Sequence, residues 1–146
     1  MLIRPLAIED YDALYALWLQ CEGMGLNDVD DSPAGIAKYL ARNPRTCFAA
    51  EEDGSLIGAI LSGHDGRRGT ICHTAVHPAH RGKGAGRALV EHTLAALKEE
   101  GITKVNLVVF SRNQSGSAFW EKMGFTAHTD LTYRDRTLTA LTRLDT

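Results

Sequence analysis

The sequence predicts an α/β fold, one mixed sheet flanked by about four helices, on three observations. Helix-period and strand-period stretches alternate along the chain. A glycine-rich turn joins an apolar strand to a long amphipathic helix. The 146 residues, 44% hydrophobic and 23% charged, suit one packed core without a disulfide or metal staple. A single domain over residues 1–146 is the expected organisation, since no repeat, linker or low-complexity tract divides the chain.

The first predicted helix runs from Ile8 to Glu22, with Leu14, Leu17, Trp18 and Cys21 on one face. Glu9, Asp10 and Asp12 place negative charge in its first turn, where the helix dipole favours it, and Gly23 and Gly25 stop it. An acidic loop with Asp28, Asp30 and Asp31 follows. Ser32 then predicts an N-cap with Pro33 at the first helical position. Ile36 and Leu40 mark that helix's apolar face, and it ends near Asn43-Pro44. Thr46–Glu51 and Leu56–Leu61 read as strands joined by a tight turn at Asp53-Gly54. A second turn, Gly63–Gly69, leads into the strand Thr70–His77. Leu89, Val90, Leu94 and Leu97 predict a helix over Gly84–Glu100, stopped by Gly101. Val105–Phe110 is apolar on both faces apart from Asn106, the pattern of a covered central strand. A short helix, Ser115–Met123, ends at Gly124, and Phe125–Leu144 predicts two strands turning at Arg134-Asp135.

Composition excludes several functions. The net charge of −2 argues against a general nucleic-acid binder. The longest apolar run, Ala13–Leu19, has seven residues, against the ~20 that span a bilayer. The N-terminus meets acidic residues too early for a signal peptide. Cys21, Cys47 and Cys72 are odd in number and widely spaced, which argues against a disulfide framework. A cytoplasmic protein without nucleic-acid or membrane partners is the expectation.

The chemistry concentrates in AVHPAHRGKGAGRAL, Ala75–Leu89. Gly82, Gly84 and Gly86 alternate where a strand turns into a helix, so backbone N–H groups can approach an anion beside a positive helix end. Arg81, Lys83 and Arg87 add positive charge, and a phosphate-bearing ligand follows. The P-loop pattern fails because Gly84 follows Lys83 where Ser or Thr belongs. The dinucleotide pattern fails because its third glycine falls on Leu89. The same glycines also serve a purely structural strand-to-helix connection.

RGKGAG, Arg81–Gly86, resembles the R/Q-x-x-G-x-G/A signature of the GCN5-related N-acetyltransferase (GNAT) superfamily. NQSGSAFWEKMGF, Asn113–Phe125, is similar to that family's second motif, in the right order downstream. The resemblance implies a mixed sheet whose parallel strands, Thr70–His77 and Val105–Phe110, splay apart around acetyl-CoA. It implies that the backbone of Arg81, Gly82, Lys83, Gly84, Ala85, Gly86 and Arg87 holds the pyrophosphate. The pantetheine arm pairs along Thr74, Ala75 and Val76, with Val76 N–H near the thioester carbonyl. Asn113 hydrogen-bonds the arm or orients its loop, the plain alternative being a helix N-cap or loop brace, and Phe119 and Trp120 wall the cofactor. The implied activity is transfer of acetyl to a primary amine by direct attack, without a metal. The acceptor is a small amine, a peptide N-terminus or a lysine, and homodimers are common in the superfamily.

Two positions depart from the family. Trp120 stands where a proton-donating tyrosine is usual, and an indole has no readily lost proton. Thr70 stands where some relatives carry a glutamate base. Strict alternation puts Thr70, Cys72 and Thr74 on one face and His73 on the other, so the general base is left open. These departures keep a non-catalytic acyl-CoA-binding module as the alternative function. Asp28, Asp30 and Asp31, with no lysine or arginine between Arg4 and Lys38, point to a cationic acceptor; the same aspartates also suit a solvated loop. His73, His77 and His80 do not share a side around Pro78, which argues against a metal. Cys72 reads as a small buried hydrophobe, Arg67 and Arg68 as a hairpin tip, and no GxSxG elbow is present.

Overall fold

The computed structural model describes residues 1–144. Nine elements follow in order: β1 (Leu2–Pro5), α1 (Tyr11–Leu19), α2 (Pro33–Arg42), β2 (Phe48–Glu52), β3 (Ser55–His64), β4 (Gly69–Val76), α3 (Ala85–Glu99), β5 (Val105–Asn106) and α4 (Gln114–Lys122). The strands form one sheet in the order β1-β2-β3-β4-β5, antiparallel except for the parallel pair β4–β5. This is the mixed α/β architecture expected.

The local signals act as the sequence predicts. Ser32 Oγ accepts from Gly35 N–H at 3.0 Å and opens α2. Asp53 and Gly54 take φ of +51° and +79°, the pair of positive values that a tight β2–β3 turn needs. On one side of the sheet Leu14, Leu17 and Trp18 of α1 and Ile36 and Leu40 of α2 pack over Ala49, Ala59 and Ala75. On the other side Leu89 and Val90 of α3 pack over Ile57, Ile60 and Ile71, with Phe119 and Trp120 of α4 against them. Each fully buried side chain of this size contributes roughly 1.5–3 kcal/mol, so both layers hold the sheet between them.

Four expectations are corrected. First, β1 forms although no element was expected there; Arg4 secures it, reaching Asp10 at 2.8 Å and Glu51 at 2.7 Å. Second, β5 ends at Asn106 rather than Phe110. Leu107 still packs on the α3 side, but Val108 is exposed and the chain peels away from β4. Third, Phe125–Leu144 forms no pair of strands. Leu131 and Tyr133 alternate as a strand would but are exposed, and among the described residues of this segment only Arg143 makes a bridge, to Asn27. Fourth, the alternation of β4 is broken. Leu61 pairs with His73 and Ser62 with Ile71, leaving Cys72 as the extra residue of a β-bulge. A bulge resets which face follows, so Cys72 and His73 both face α1 and α2. Cys72 Sγ lies 3.2 Å from Tyr39 Oη, and the His73 ring meets Trp18 edge-to-face at 5.0 Å. Cys72 is therefore not a buried hydrophobe; the residue is exposed, although packing around its sulfur pushes the thiol up.

The Arg4 cluster carries a pH signature. Hydrogen bonds from Arg4, and secondarily from Ala7 N–H, hold the Asp10 carboxyl below the usual carboxylate range, against its partial burial. The folded state therefore binds fewer protons than the unfolded chain near pH 3–4. The associated stability is present above the unfolded value of ~3.9 and is lost as pH falls through the folded one. Denaturant midpoints should fall more steeply between about pH 5 and pH 2 in the native protein than in Asp10→Asn; equal slopes would show that Asp10 contributes nothing to the acid limb.

Candidate active site

The divergence of β5 from β4 leaves an edge unpaired. β4 and β5 pair only at Gly69↔Val105 and Thr70↔Asn106. At the other end of β4, His77 N–H donates to Ile57 O at 2.7 Å, toward β3. Alternation within the antiparallel ladder then aims the N–H groups of Thr74 and Val76 at the opposite edge, where no strand follows. That edge borders a cleft of about 910 Å³.

Four segments build the cleft. β4 contributes Thr74, Ala75 and Val76; the glycine turn contributes Arg81, Gly82, Gly84, Ala85, Gly86 and Arg87; α4 and its preceding loop contribute Arg112, Asn113, Phe119 and Trp120. The fourth segment, Gln20–Met24 after α1, was not expected there. Of the anticipated phosphate-turn residues, Lys83 does not line the cleft. Arg112 and Lys122 do; Arg112 directly precedes the Asn113 motif and Lys122 lies within it. Among the described lining residues four lysine or arginine cations face one acid, Glu22.

Gly84 takes φ +87° and caps α3; a Cβ built there meets nothing within 4 Å, so the turn encloses open space. Ala88 N–H is bonded back to Gly84 O at 3.0 Å. The N–H groups of Ala85, Gly86 and Arg87 precede it and lack intrahelical partners, as at any helix start. Gly86 has a different reason to be glycine: its Cβ would lie 3.2 Å from the Phe119 ring, so it lets α3 and α4 close together. Arg81 Nε donates to Val76 O at 3.0 Å, pinning the strand end to the turn. Asn113 Oδ1 accepts from Gly116 N–H at 2.9 Å, capping α4, while its Nδ2 has no partner among the described residues. Trp120 packs edge-to-face with Phe119 at 5.0 Å and Phe125 at 5.1 Å, forming an aromatic wall.

The acidic loop does not line the cleft. Asp31 is 4% exposed; its Oδ2 accepts from Asn27 N–H and its Oδ1 lies 2.9 Å from His73 Nε2. Asp28 accepts from Thr142 N–H at 2.7 Å, and Asp30 from Asn27 Nδ2 at 2.9 Å. Thr70 Oγ1 donates to Asn106 Oδ1 at 3.1 Å. Cys21 Sγ reaches Val76 O at 3.6 Å, and burial pushes its thiol up although the Arg81 guanidinium pulls it back. Cys47 is buried more deeply and is pushed up to about 12. Among the described residues no group of three or more His, Cys, Asp or Glu could hold a metal ion, and no helix is long and apolar enough to cross a membrane.

Comparison with known proteins agrees with this geometry. The model of the acetyltransferase (GNAT) family matches residues 11–125. An acetyltransferase of Sodalis glossinidius (strain morsitans) is 31% identical over 125 residues, 86% of this chain and 87% of that protein. The structure of the PaiA N-acetyltransferase of Thermoplasma acidophilum in complex with coenzyme A superposes with a TM-score of 0.76 at 22% identity, covering 87% of this chain and 90% of that one. The ribosomal-protein-alanine N-acetyltransferase of Brucella melitensis biovar Abortus gives 0.68 at 24%, covering 92% and 97%. The residues here fit acetyl-CoA: the turn leaves room below Gly84, and Thr74 Oγ1 is a buried, unpartnered polar atom beside a free strand edge. Family, fold and cleft converge, and the chain belongs to the GNAT family of acetyltransferases, with acetyl-CoA as its cosubstrate.

Proposed function

We propose that this acetyltransferase acts on a primary amine by direct attack, with cationic small amines or the free amino group of a peptide as favoured acceptors. One observation carries the reading: the free β4 edge and the open glycine turn meet in a single cleft. Acetyl-CoA supplies the acetyl group as a thioester. The N–H groups of Ala85, Gly86 and Arg87 and the cations Arg81, Arg87 and Arg112 hold its phosphates. Thr74 and Val76 pair with the pantetheine amides, and Val76 N–H stabilises the oxygen on which charge develops. Direct attack is favoured over a Cys21 thiolate intermediate because burial pushes that thiol up against the pull of Arg81. The cationic preference rests on Asp28 and Asp30, which are exposed on the loop beyond the cleft-lining Gln20–Met24 and act on an acceptor through space rather than as cleft lining.

Release of free CoA thiol with spermidine, kanamycin and a tetrapeptide bearing a free N-terminal alanine tests the function. Turnover with an amine supports it; binding of acetyl-CoA without turnover across the panel identifies a binding module instead. Trp120 acts in this reading as a wall rather than an acid, because a CoA thiolate with a reference pKa near ~8.5 can leave without full protonation. Trp120→Phe should keep kcat within about tenfold, whereas loss of a general acid costs ~10² or more. A larger loss with unchanged acetyl-CoA affinity would restore a chemical role to the indole.

A further inference from the structure

A single carboxylate stands in a cleft otherwise charged for phosphates. Glu22 lines the cleft, is exposed, and makes no hydrogen bond or ion pair among the described residues. Three of the cleft's cations are engaged elsewhere. Arg81 donates to Val76 O at 3.0 Å, Arg87 lies 3.6 Å from Glu91, and Arg112 sits 4.4 Å over the Phe110 ring. The neighbours of Glu22 in the chain fix its place. Cys21 Sγ lies 3.6 Å from Val76 O, at the end of β4. A Cβ on Gly23 would lie 3.6 Å from Phe110, just past β5, and 3.9 Å from Asn113 Nδ2. Cys21, Glu22 and Gly23 therefore strap the gap between the diverging strands, with Glu22 at the middle of the strap. The cofactor's phosphates are anionic, and a carboxylate near them costs affinity. The acceptor is the other ligand that must reach Val76. Beside the reacting nitrogen a carboxylate would favour the ammonium form and oppose attack. Beside a second, non-reacting cation it holds the acceptor without that cost.

We propose that Glu22 selects acceptors that carry a second cationic centre a few carbons from the reacting amine. This rests on the function proposed above and names a contact inside the cleft. Asp28 and Asp30 do not make it, being bonded to Thr142 N–H and Asn27 Nδ2 outside the cleft lining. The reacting amine approaches Val76 while the distal ammonium pairs with the Glu22 carboxylate. Glu22 exchanges no proton in this arrangement; it determines specificity. Exposed ion pairs are weak, so the selection it gives is ~5-fold rather than ~100-fold.

Three acceptors of matched length isolate the charge at the far end. Putrescine ends in an ammonium, 4-aminobutanol in a hydroxyl and 4-aminobutyrate in a carboxylate. In the native protein kcat/KM should fall in that order. Glu22→Gln should lower the ratio of putrescine to aminobutanol ~5-fold, chiefly through KM, and Glu22→Asp should retain most of it. Glu22→Lys should move the order toward aminobutyrate. Lowering the ionic strength from about 0.15 M to about 0.01 M lengthens the Debye length from ~8 Å to ~30 Å. The native ratio should then widen more than that of Glu22→Gln, a response that a merely structural role would not give. An equal ratio in the native protein, Glu22→Gln and Glu22→Lys overturns the assignment alone. Turnover confined to the tetrapeptide with a free N-terminal alanine also overturns it and leaves the proposed function standing. A native protein that binds acetyl-CoA but acetylates none of these amines overturns both.

Discussion

Acetyl-CoA at a hundred times its Kd should stabilise the native protein by ~2.7 kcal/mol, and Gly84→Val should abolish this shift. Gly84 is the position at which the two requirements of the turn coincide. Its φ of +87° lies in the left-handed region, which costs an L-residue roughly 1–2 kcal/mol and a β-branched one more. The space its Cβ would enter is empty of protein atoms, so any clash is with the ligand rather than the fold. Gly86→Val should behave differently, since its side chain meets the Phe119 ring and drives α3 from α4. Thermal unfolding with and without acetyl-CoA separates the two. The Gly84 variant should start slightly less stable and show no ligand shift; the Gly86 variant should be destabilised before any ligand is added. A native-size shift in folded Gly84→Val would remove the pyrophosphate from this turn.

Trp18→Ala should cost about 3–5 kcal/mol, the loss seen when a large aromatic leaves a packed core. Trp18 is fully buried between α1, the sheet and the His73 ring. Its indole N–H nevertheless has no partner among the described residues. A buried unsatisfied donor costs ~1–3 kcal/mol, so Trp18→Phe, which removes that group and keeps most of the ring, should recover much of the difference. Denaturant midpoints at unchanged slope measure both variants. A Trp18→Ala loss under about 1 kcal/mol would mean that α1 and α2 close over the vacancy.

Local chemistry accounts for what was legible in the chain. The Ser32 cap, the Asp53-Gly54 turn and the apolar spacing of α1, α2 and α3 each follow from residues within a few positions of one another. The glycine turn was equally legible, because a positive φ and a bare backbone demand glycine whatever surrounds them. Asn113 was legible twice over, as a motif residue and as a cap, and its side chain performs the cap with an amide nitrogen to spare. The Gln20–Met24 contribution was not legible, since only packing of α1 against the end of β4 brings it to the cleft.

By itself, then, the sequence determined the helices, the hairpin, the glycine turn and the family. Tertiary structure alone decided where β5 stops, that Leu131 and Tyr133 find no surface to bury, and on which side of β4 His73 lies. The reason is the nature of strand pairing. A helix contacts itself and so carries its own pattern, whereas a strand's register, its bulges and its length are set by a partner distant in the chain. One unpaired residue, Cys72, is enough to turn His73 from the face that alternation assigns it to the face where Asp31 waits.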